Sequence, residues 1–343
     1  MLHNIVITVK TIAVGALGAF IAWFFGMPAP FITGPAIFVS VASLAGLKTD
    51  IPVKLRDMVF LAIGITLGAS VTPEILAAAG NWPISLAIMC FGTGLIMIVG
   101  GWIFQRAFNT NRKTALLCST PGHLSYVLSF GTDIGADTAI ISVIQSIRLL
   151  LLTLLVPVAI AVLTDADMSM RAPIGAVMPP IHLAVLTILS GILGFGLLKL
   201  KVPAAFLLAG MFFSSLGHGV GVITGGMPIT ISTTAFVLIG ALMGTRFSGV
   251  TMALLRRAAL GGLFITAFGL VVAMAAAMLA HLATGLPLVW VIIAFAPGGF
   301  ETMVAMAGVI GADPAFVAFH HVSRLFFLSA FVPIALSWKS AER

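Results

Sequence analysis

One block of sequence occurs twice in this chain, and its two copies must fold alike. The copies contain the same helix-breaking pair, the same acid and the same arginine, in the same order. The paired positions are Pro121 and Pro297, Gly122 and Gly298, Asp137 and Asp313, and Arg148 and Arg324. Every pair is 176 residues apart (297 minus 121, for example), so no insertion or deletion separates the copies. We therefore expect two repeats, over residues 1–170 and 171–343.

Apolar segments of membrane-spanning length follow one another along both repeats. Hydrophobic residues make up 60% of the sequence and charged residues 8%, whereas a soluble domain carries about 25% charge. A bilayer span needs about 20 apolar residues. The segments cover residues 4–25, 29–47, 57–79, 83–105, 113–134 and 137–163, then 176–198, 203–221, 228–252, 258–282, 288–310 and 314–337. We therefore expect an all-α polytopic membrane protein surrounded by the lipid bilayer.

The lysines and arginines predict how the segments are oriented. In the first half they follow the second and fourth segments, and in the second half they follow its first and third. Cytoplasmic loops collect these residues, so the second half is expected to be inverted, with both termini cytoplasmic. The clusters are Lys48, Lys54 and Arg56; Arg106, Arg112 and Lys113; Lys199 and Lys201; and Arg246, Arg256 and Arg257.

The Pro-Gly segments, 113–134 and 288–310, explain how six apolar segments fit an inverted half. Inversion requires an odd number of crossings in each half. A segment that turns at Pro-Gly and leaves by the face it entered does not cross, and each arm of about ten residues is about 15 Å long. The prediction is two inverted-topology repeats, each with about five transmembrane helices and one re-entrant or broken Pro-Gly helix. The alternative is twelve full spans with parallel halves.

The broken segments and the two arginines form the candidate substrate site. Interrupted helices near the membrane midplane mark the binding sites of inverted-repeat transporters. A half-helix that starts after Pro-Gly presents free N–H groups and a positive dipole end, which favour an anion. A charge at this depth costs roughly 2.5 to 3.5 kcal/mol and normally has a function. The predicted substrate-binding residues are Pro121, Gly122, His123, Ser125, Arg148, Pro297, Gly298, Gly299, Thr302 and Arg324.

The arginines also have a purely structural interpretation. Each guanidinium could be neutralised by a buried aspartate or by the helix-end carbonyls of the opposite hairpin. Asp137 and Asp313, at the start of the arginine helices, are most simply N-terminal caps. Likewise, Gly64, Gly68, Gly240 and Gly244 have the spacing that lets membrane helices pack closely.

Three further residues are candidates for coupling transport to protons or sodium ions. Glu301 follows the second Pro-Gly turn, where burial would raise a carboxyl group toward neutrality. The alternative is that Glu301 pairs with Arg148 or Arg324. His320 and His321 lie close to Arg324 in the sequence and could relay protons, although a membrane histidine is more often a hydrogen-bonded core residue.

These duplicated Pro-Gly, Gly-Ala-Asp and Arg-Leu blocks resemble the AbrB-type duplicated membrane protein family of bacteria. The resemblance covers almost the full length and implies a multi-pass inner-membrane protein. Family labels include a transcriptional regulator and an ammonia monooxygenase. No loop is long enough for a DNA-binding module, and the scattered histidines provide no copper site. In the first copy His123 and Ser125 depart from the family's Pro-Gly-Gly and acid pattern.

The sequence therefore favours a secondary transporter or permease over an enzyme. The expected solute is a small, anionic molecule, with proton or sodium coupling and no cofactor, catalytic group, metal site or nucleic-acid partner. The alternative is a membrane sensor or regulatory protein that binds a ligand in the same pocket without transporting it. Transporters of this architecture often form dimers, so a homodimer is one expectation.

Overall fold

Helices account for nearly all the regular structure of the chain. The computed structural model describes residues 2–69, 82–121, 124–163 and 177–337. Apart from an isolated bridge between Val177 and Gly226, every regular element in these ranges is helical. The helices are α1 Leu2–Phe24, α2 Pro30–Leu44, α3 Val53–Gly68, α4 Trp82–Leu95, α5 Gly101–Ala107, α6 Arg112–Ser119, α7 Leu124–Asp133, α8 Thr138–Leu163, α9 Pro180–Lys199, α10 Ala205–Gly219, α11 Ile229–Thr245, α12 Met252–Thr284, α13 Leu288–Phe295, α14 Phe300–Ile310 and α15 Pro314–Ser337.

Six of the described helices are long and apolar enough to cross a membrane, which supports the all-α membrane fold. They are Asn4–Phe24, Trp82–Ala107, Thr138–Val162, Pro180–Lys199, Met252–Thr284 and Pro314–Ser337. Helices α2, α10 and α11 are apolar too but only 15, 15 and 17 residues long. At about 1.5 Å per residue they are shorter than a hydrocarbon core of about 30 Å. Five crossings in each half therefore stay a prediction.

Both Pro-Gly segments are interrupted helices, as the sequence predicts. The first consists of α6 and α7, with 8 and 10 residues, and the second of α13 and α14, with 8 and 11 residues. The residue before each proline is extended, because proline excludes the helical conformation of its predecessor. Thr120 has ψ 114° and Ala296 has ψ 127°. The same steric rule thus breaks both copies at the same position.

The chain divides into two compact units, and each unit takes segments from both halves. The first unit contains Met1–Ala79, Pro157–Gly249 and Glu301–Val317, and the second contains Gly80–Val156, Val250–Phe300 and Ala318–Arg343. The units are therefore not the sequence repeats. The predicted repeat boundary, between residues 170 and 171, lies outside the described residues.

In the first unit, glycines bring α3 against α10 and α11 against α2. A Cβ atom on Gly64 would lie 2.2 Å from the carbonyl oxygen of Leu207, and one on Gly240 would lie 2.3 Å from that of Ile32. Gly64 and Gly240 are 176 residues apart, and Ile32 and Leu207 are 175 apart. The predicted role of these glycines in close helix packing is confirmed, and it recurs in both halves.

The loops of the first unit also meet. The connection after α2 lies against the connection after α11. The Thr49 backbone N–H donates to Ser248 Oγ at 3.2 Å, and Ser43 Oγ donates to the Gly244 carbonyl at 3.2 Å. Ala29 and Ala204, which precede α2 and α10, share a left-handed backbone with φ 48°. Equivalent helices therefore begin in the same unusual way.

The second unit is built around α12, which has 33 residues. This helix packs against α4, α13 and the π-helical turn Ile96–Gly100 that joins α4 to α5. A Cβ atom on Gly269 of α12 would lie 3.5 Å from the Pro297 ring. The side of α12 that carries Gly269 thus packs against the break of the second interrupted helix.

Candidate functional site

Arg148 is buried in α8 and binds the end of a half-helix. Its side chain is 1% exposed. The NH1 group donates to the carbonyl of Thr120 at 3.1 Å, and the NH2 group donates to Gln145 Oε1. Its Nε group is buried and has no hydrogen-bond partner. The guanidinium thus caps the negative end of α6 and keeps its Nε–H donor unused.

Arg324 occupies the equivalent position in α15. Its side chain is 2% exposed. NH1 donates to the carbonyl of Ala296 at 2.9 Å, and NH2 donates to His321 Nδ1 at 2.6 Å. Here too Nε is buried without a hydrogen-bond partner. The two copies therefore orient their arginines in the same way.

A neutral side chain three residues before each arginine completes the network. Gln145 Nε2 donates to the carbonyls of Leu117 and Thr120 at 2.9 and 3.0 Å. His321 Nε2 lies 3.2 Å from the carbonyl of Ile293, the counterpart of Leu117. Each arginine is thus held by the last carbonyls of the half-helix in its own half. The structural alternative, which assigned carbonyls of the opposite hairpin, is wrong on this point.

The positive charges of Arg148 and Arg324 are not balanced by a carboxylate among the described residues. Within the part of the chain that the structure describes, the salt bridge found is between Arg56 and Asp57, on a different helix. Neither Arg148 nor Arg324 has a carboxylate partner there, and the two guanidinium groups repel each other. Carbonyl dipoles compensate only part of a buried charge. Two buried cations with unused N–H donors can supply positive charge and hydrogen bonds to a small anion.

Other predicted site residues of the second unit lie at or near the breaks. Pro121 and Pro297 are buried, and Gly298 and Gly299 form the half-exposed turn before α14. The predictions for Gly122 and His123 fall outside the described residues, as does that for the Ser125 side chain, although α7 includes its backbone.

His320 is buried and points to a different helix from His321. Its Nε2 lies 2.8 Å from Ser85 Oγ at the start of α4. The rings of Trp82, Phe295 and Phe319 surround the imidazole. This environment is that of a hydrogen-bonded core histidine linking α15 to α4, so the two adjacent histidines have separate partners.

Two predicted residues belong to the first unit. Thr302 is buried near the start of α14, and its Oγ1 has no hydrogen-bond partner. Glu301 is half-buried beside it and attracts Arg246, whose Nε is also buried without a partner. Glu301 therefore has a nearby cation, Arg246, in its own unit.

The two aspartates cap the arginine helices, as the sequence predicts. Asp137 Oδ1 accepts the N–H of Ile140 at 3.1 Å, and Asp313 Oδ1 accepts that of Ala315 at 2.8 Å. They differ in their surroundings, because Asp313 is 2% exposed and its Oδ2 is buried without a partner. Asp137 is half-exposed.

The sequence analysis missed three groups of this network: the side chain of Gln145 and the backbone carbonyls of Thr120 and Ala296. The signal for Gln145 was present, since residues three apart on a helix share a face and Gln145 precedes Arg148 by three. His321 has the same relation to Arg324. Every residue has a backbone carbonyl, in contrast, so the sequence does not show which carbonyls bind an arginine.

In the described ranges the regular structure is helical, with six helices long and apolar enough to cross a membrane and two interrupted ones, which are the features of a polytopic membrane protein. The family model described as "Transition state regulatory protein AbrB" matches residues 31–340, and the chain belongs to this family. It is 28% identical to "Uncharacterized protein YhjN" of Bacillus subtilis (strain 168), over 80% of this chain and 75% of that protein. It is 26% identical to "Putative regulator AbrB" of Escherichia coli (strain K12), over 88% of this chain and 87% of that protein.

Proposed function

We propose that this protein is a secondary transporter for a small anion in the bacterial inner membrane. The observation that carries the proposal is the pair of buried arginines, Arg148 and Arg324, each of which has a buried Nε with no hydrogen-bond partner and no carboxylate partner among the described residues. A bound anion would supply the missing charge and accept hydrogen bonds from the unused Nε groups. Because guanidinium geometry matches a carboxylate, a carboxylate is the expected solute class.

We propose that the two halves have inverted topology. In the first half the chain leaves α2 through the loop that contains Thr49, and in the second half it leaves α11 through the loop that contains Ser248. These loops are hydrogen-bonded to each other, although α2 is the second helix of its half and α11 is the third. Successive helices cross a membrane in opposite directions, so parallel halves would separate these loops by a bilayer. The contact supports inversion.

We propose that each interrupted helix is re-entrant. Arms of 8 to 11 residues are about 12 to 17 Å long, roughly half of a 30 Å hydrocarbon core. The carbonyl end of each first arm is held by an arginine, so the break is surrounded by protein, as non-helical backbone at membrane depth requires. The positive end of α7, which follows the first break, favours the same anion.

Coupling to protons or sodium ions remains a prediction for Glu301 and His320, whereas the contacts of His321 with Arg324 and Ile293 favour a positioning role. Lipid is the expected surrounding of the apolar surfaces, where α1 and α9 expose large side chains. These include Phe20, Trp23, Phe24, Ile181, Ile188, Ile192 and Phe195. A homodimer also remains a prediction.

A membrane sensor is the second candidate function. The family description and the name of the relative from Escherichia coli both refer to regulation. In a sensor, the same arginines would bind the anion without releasing it across the membrane. The two functions therefore share the site and differ in flux.

The experiment combines binding and flux. Acetate, succinate and glutamate should raise the melting temperature of the purified protein, whereas acetamide, the neutral counterpart of acetate, should not. Radiolabelled carboxylate should then accumulate in proteoliposomes. Binding with no counterflow would support the sensor, and the absence of any carboxylate-dependent shift would overturn the anion site. Arg256→Gln, a change on an exposed segment of α12, is the matched control for removal of one positive charge.

A further inference from the structure

Gln145 and His321 occupy equivalent positions and make equivalent hydrogen bonds, although their side chains differ. Both side chains are fully buried. Each accepts an N–H from its arginine and contacts a carbonyl four residues before the proline of its own half. The shared property is one acceptor and one donor at opposite ends of a neutral, planar group.

The contact with Arg324 fixes the state of the His321 ring. A guanidinium can only donate, so His321 Nδ1 must accept the hydrogen bond of 2.6 Å from Arg324 NH2. The ring proton therefore resides on Nε2, which donates to the carbonyl of Ile293. A protonated imidazole would turn a second N–H toward Arg324 and break this bridge. The geometry thus requires a neutral imidazole, which does here what the Gln145 amide does in the other copy.

The groups around His321 favour this neutral state. Arg324 and His320 lie on its own helix, and Arg148 contributes further positive charge near Arg324. From the second interrupted helix, the carbonyl of Ile293 and the ring of Phe300 face the imidazole. Cys90 of α4 lies near Arg324. Among the described residues, no carboxylate forms a salt bridge with this histidine.

We propose that Gln145 and His321 are positioning residues of the anion site, and that His321 acts as a neutral bridge rather than a proton carrier. Each bridge accepts a hydrogen bond from NH2 of its arginine, which directs NH1 to the last half-helix carbonyl and leaves Nε for the anion. The identity of the ligand, an anion, rests on the proposed function. The hydrogen bonds of Gln145 and His321 to the arginines can be tested without any ligand.

The first test is a set of reciprocal substitutions. Gln145→Leu and His321→Leu remove the acceptor and the donor, so acetate affinity should fall roughly tenfold or more in each, as expected for loss of a hydrogen bond to a charged group. His321→Gln and Gln145→His each install the bridge of the other copy and should recover most of that loss. If His321→Gln binds acetate as weakly as His321→Leu, the site needs an imidazole specifically, and the positioning role is overturned.

The second test is nitrogen-15 NMR of the histidine rings in wild-type protein without ligand, with the His321 signal assigned by its loss in His321→Gln. A neutral ring protonated on Nε2 should persist between about pH 5 and 8, where an ordinary histidine changes charge. A ring protonated on Nδ1, or one that titrates in this range, would overturn the proposal. If wild-type protein binds no carboxylate but shows the expected ring, the proposed function fails and the bridge stands.

Discussion

The arginine networks of the two halves have the same geometry but different chemistry. Thr120 and Ala296 provide equivalent carbonyls, whereas Gln145 in one half corresponds to His321 in the other. After duplication, the two copies kept the hydrogen bonds and changed the residue that makes them. The difference indicates that what matters at this position is one acceptor and one donor, so an imidazole near a buried arginine need not be an acid–base group.

Replacement of either arginine is expected to have the largest effect on the two networks. Arg148→Gln and Arg324→Gln should each weaken acetate binding roughly 100-fold, because each removes a charge and its hydrogen bonds to the anion. The ligand-free melting temperature should change little, since relief of the repulsion between two buried cations offsets the lost capping bonds. Thermal shift against acetate concentration measures both. A large loss in only one variant would show that the halves are not equivalent.

The second prediction concerns the helix contacts of the first unit. Gly64→Leu and Gly240→Leu should each destabilise the protein by about 1 to 3 kcal/mol or more, because the new side chain would overlap a backbone carbonyl of the neighbouring helix. Chemical denaturation in detergent measures the free energy of unfolding. Gly191→Leu is the control, since a Cβ atom there meets nothing within 4 Å. Equal stability of Gly64→Leu and wild type would contradict the close packing.

The smallest predicted effect is at the helix caps. Asp137→Ala and Asp313→Ala should each cost about 1 kcal/mol, and asparagine at either position should restore most of it, because an amide oxygen also caps a helix. Asp313 also has a buried, unpaired Oδ2. If Asp313→Asn changes the pH dependence of flux and Asp137→Asn does not, the two caps differ in function as well as in exposure.

Much of the fold could be predicted from the sequence. Proline breaks a helix by local sterics, so Pro121 and Pro297 located both interruptions. Apolar length predicted twelve segments, and six helices of membrane-spanning length are found among the described residues. Charge patterning predicted an inverted second half, and this stays a proposal that the contact between Thr49 and Ser248 supports. The division into compact units could not be predicted, because it depends on which helices of different halves pack together.

The site could be predicted only in part. Arg148 and Arg324 were identifiable because a charge in an apolar segment is costly. Their partners were not, since the carbonyls of Thr120 and Ala296 become available only through the backbone geometry of the break. Similarly, the histidine pair looked like one relay in sequence, but adjacent residues on a helix point in different directions, and His320 bonds to Ser85 instead.

The central claim is that both arginines, one from each half, bind the same anion. Saturation binding of radiolabelled acetate to wild type, Arg148→Gln and Arg324→Gln tests it most directly. The account predicts one acetate per wild-type chain and roughly 100-fold weaker binding in either variant, with the double variant little worse than the single ones. If wild type bound two acetates and each variant kept one at unchanged affinity, the arginines would form separate sites and the claim would be contradicted.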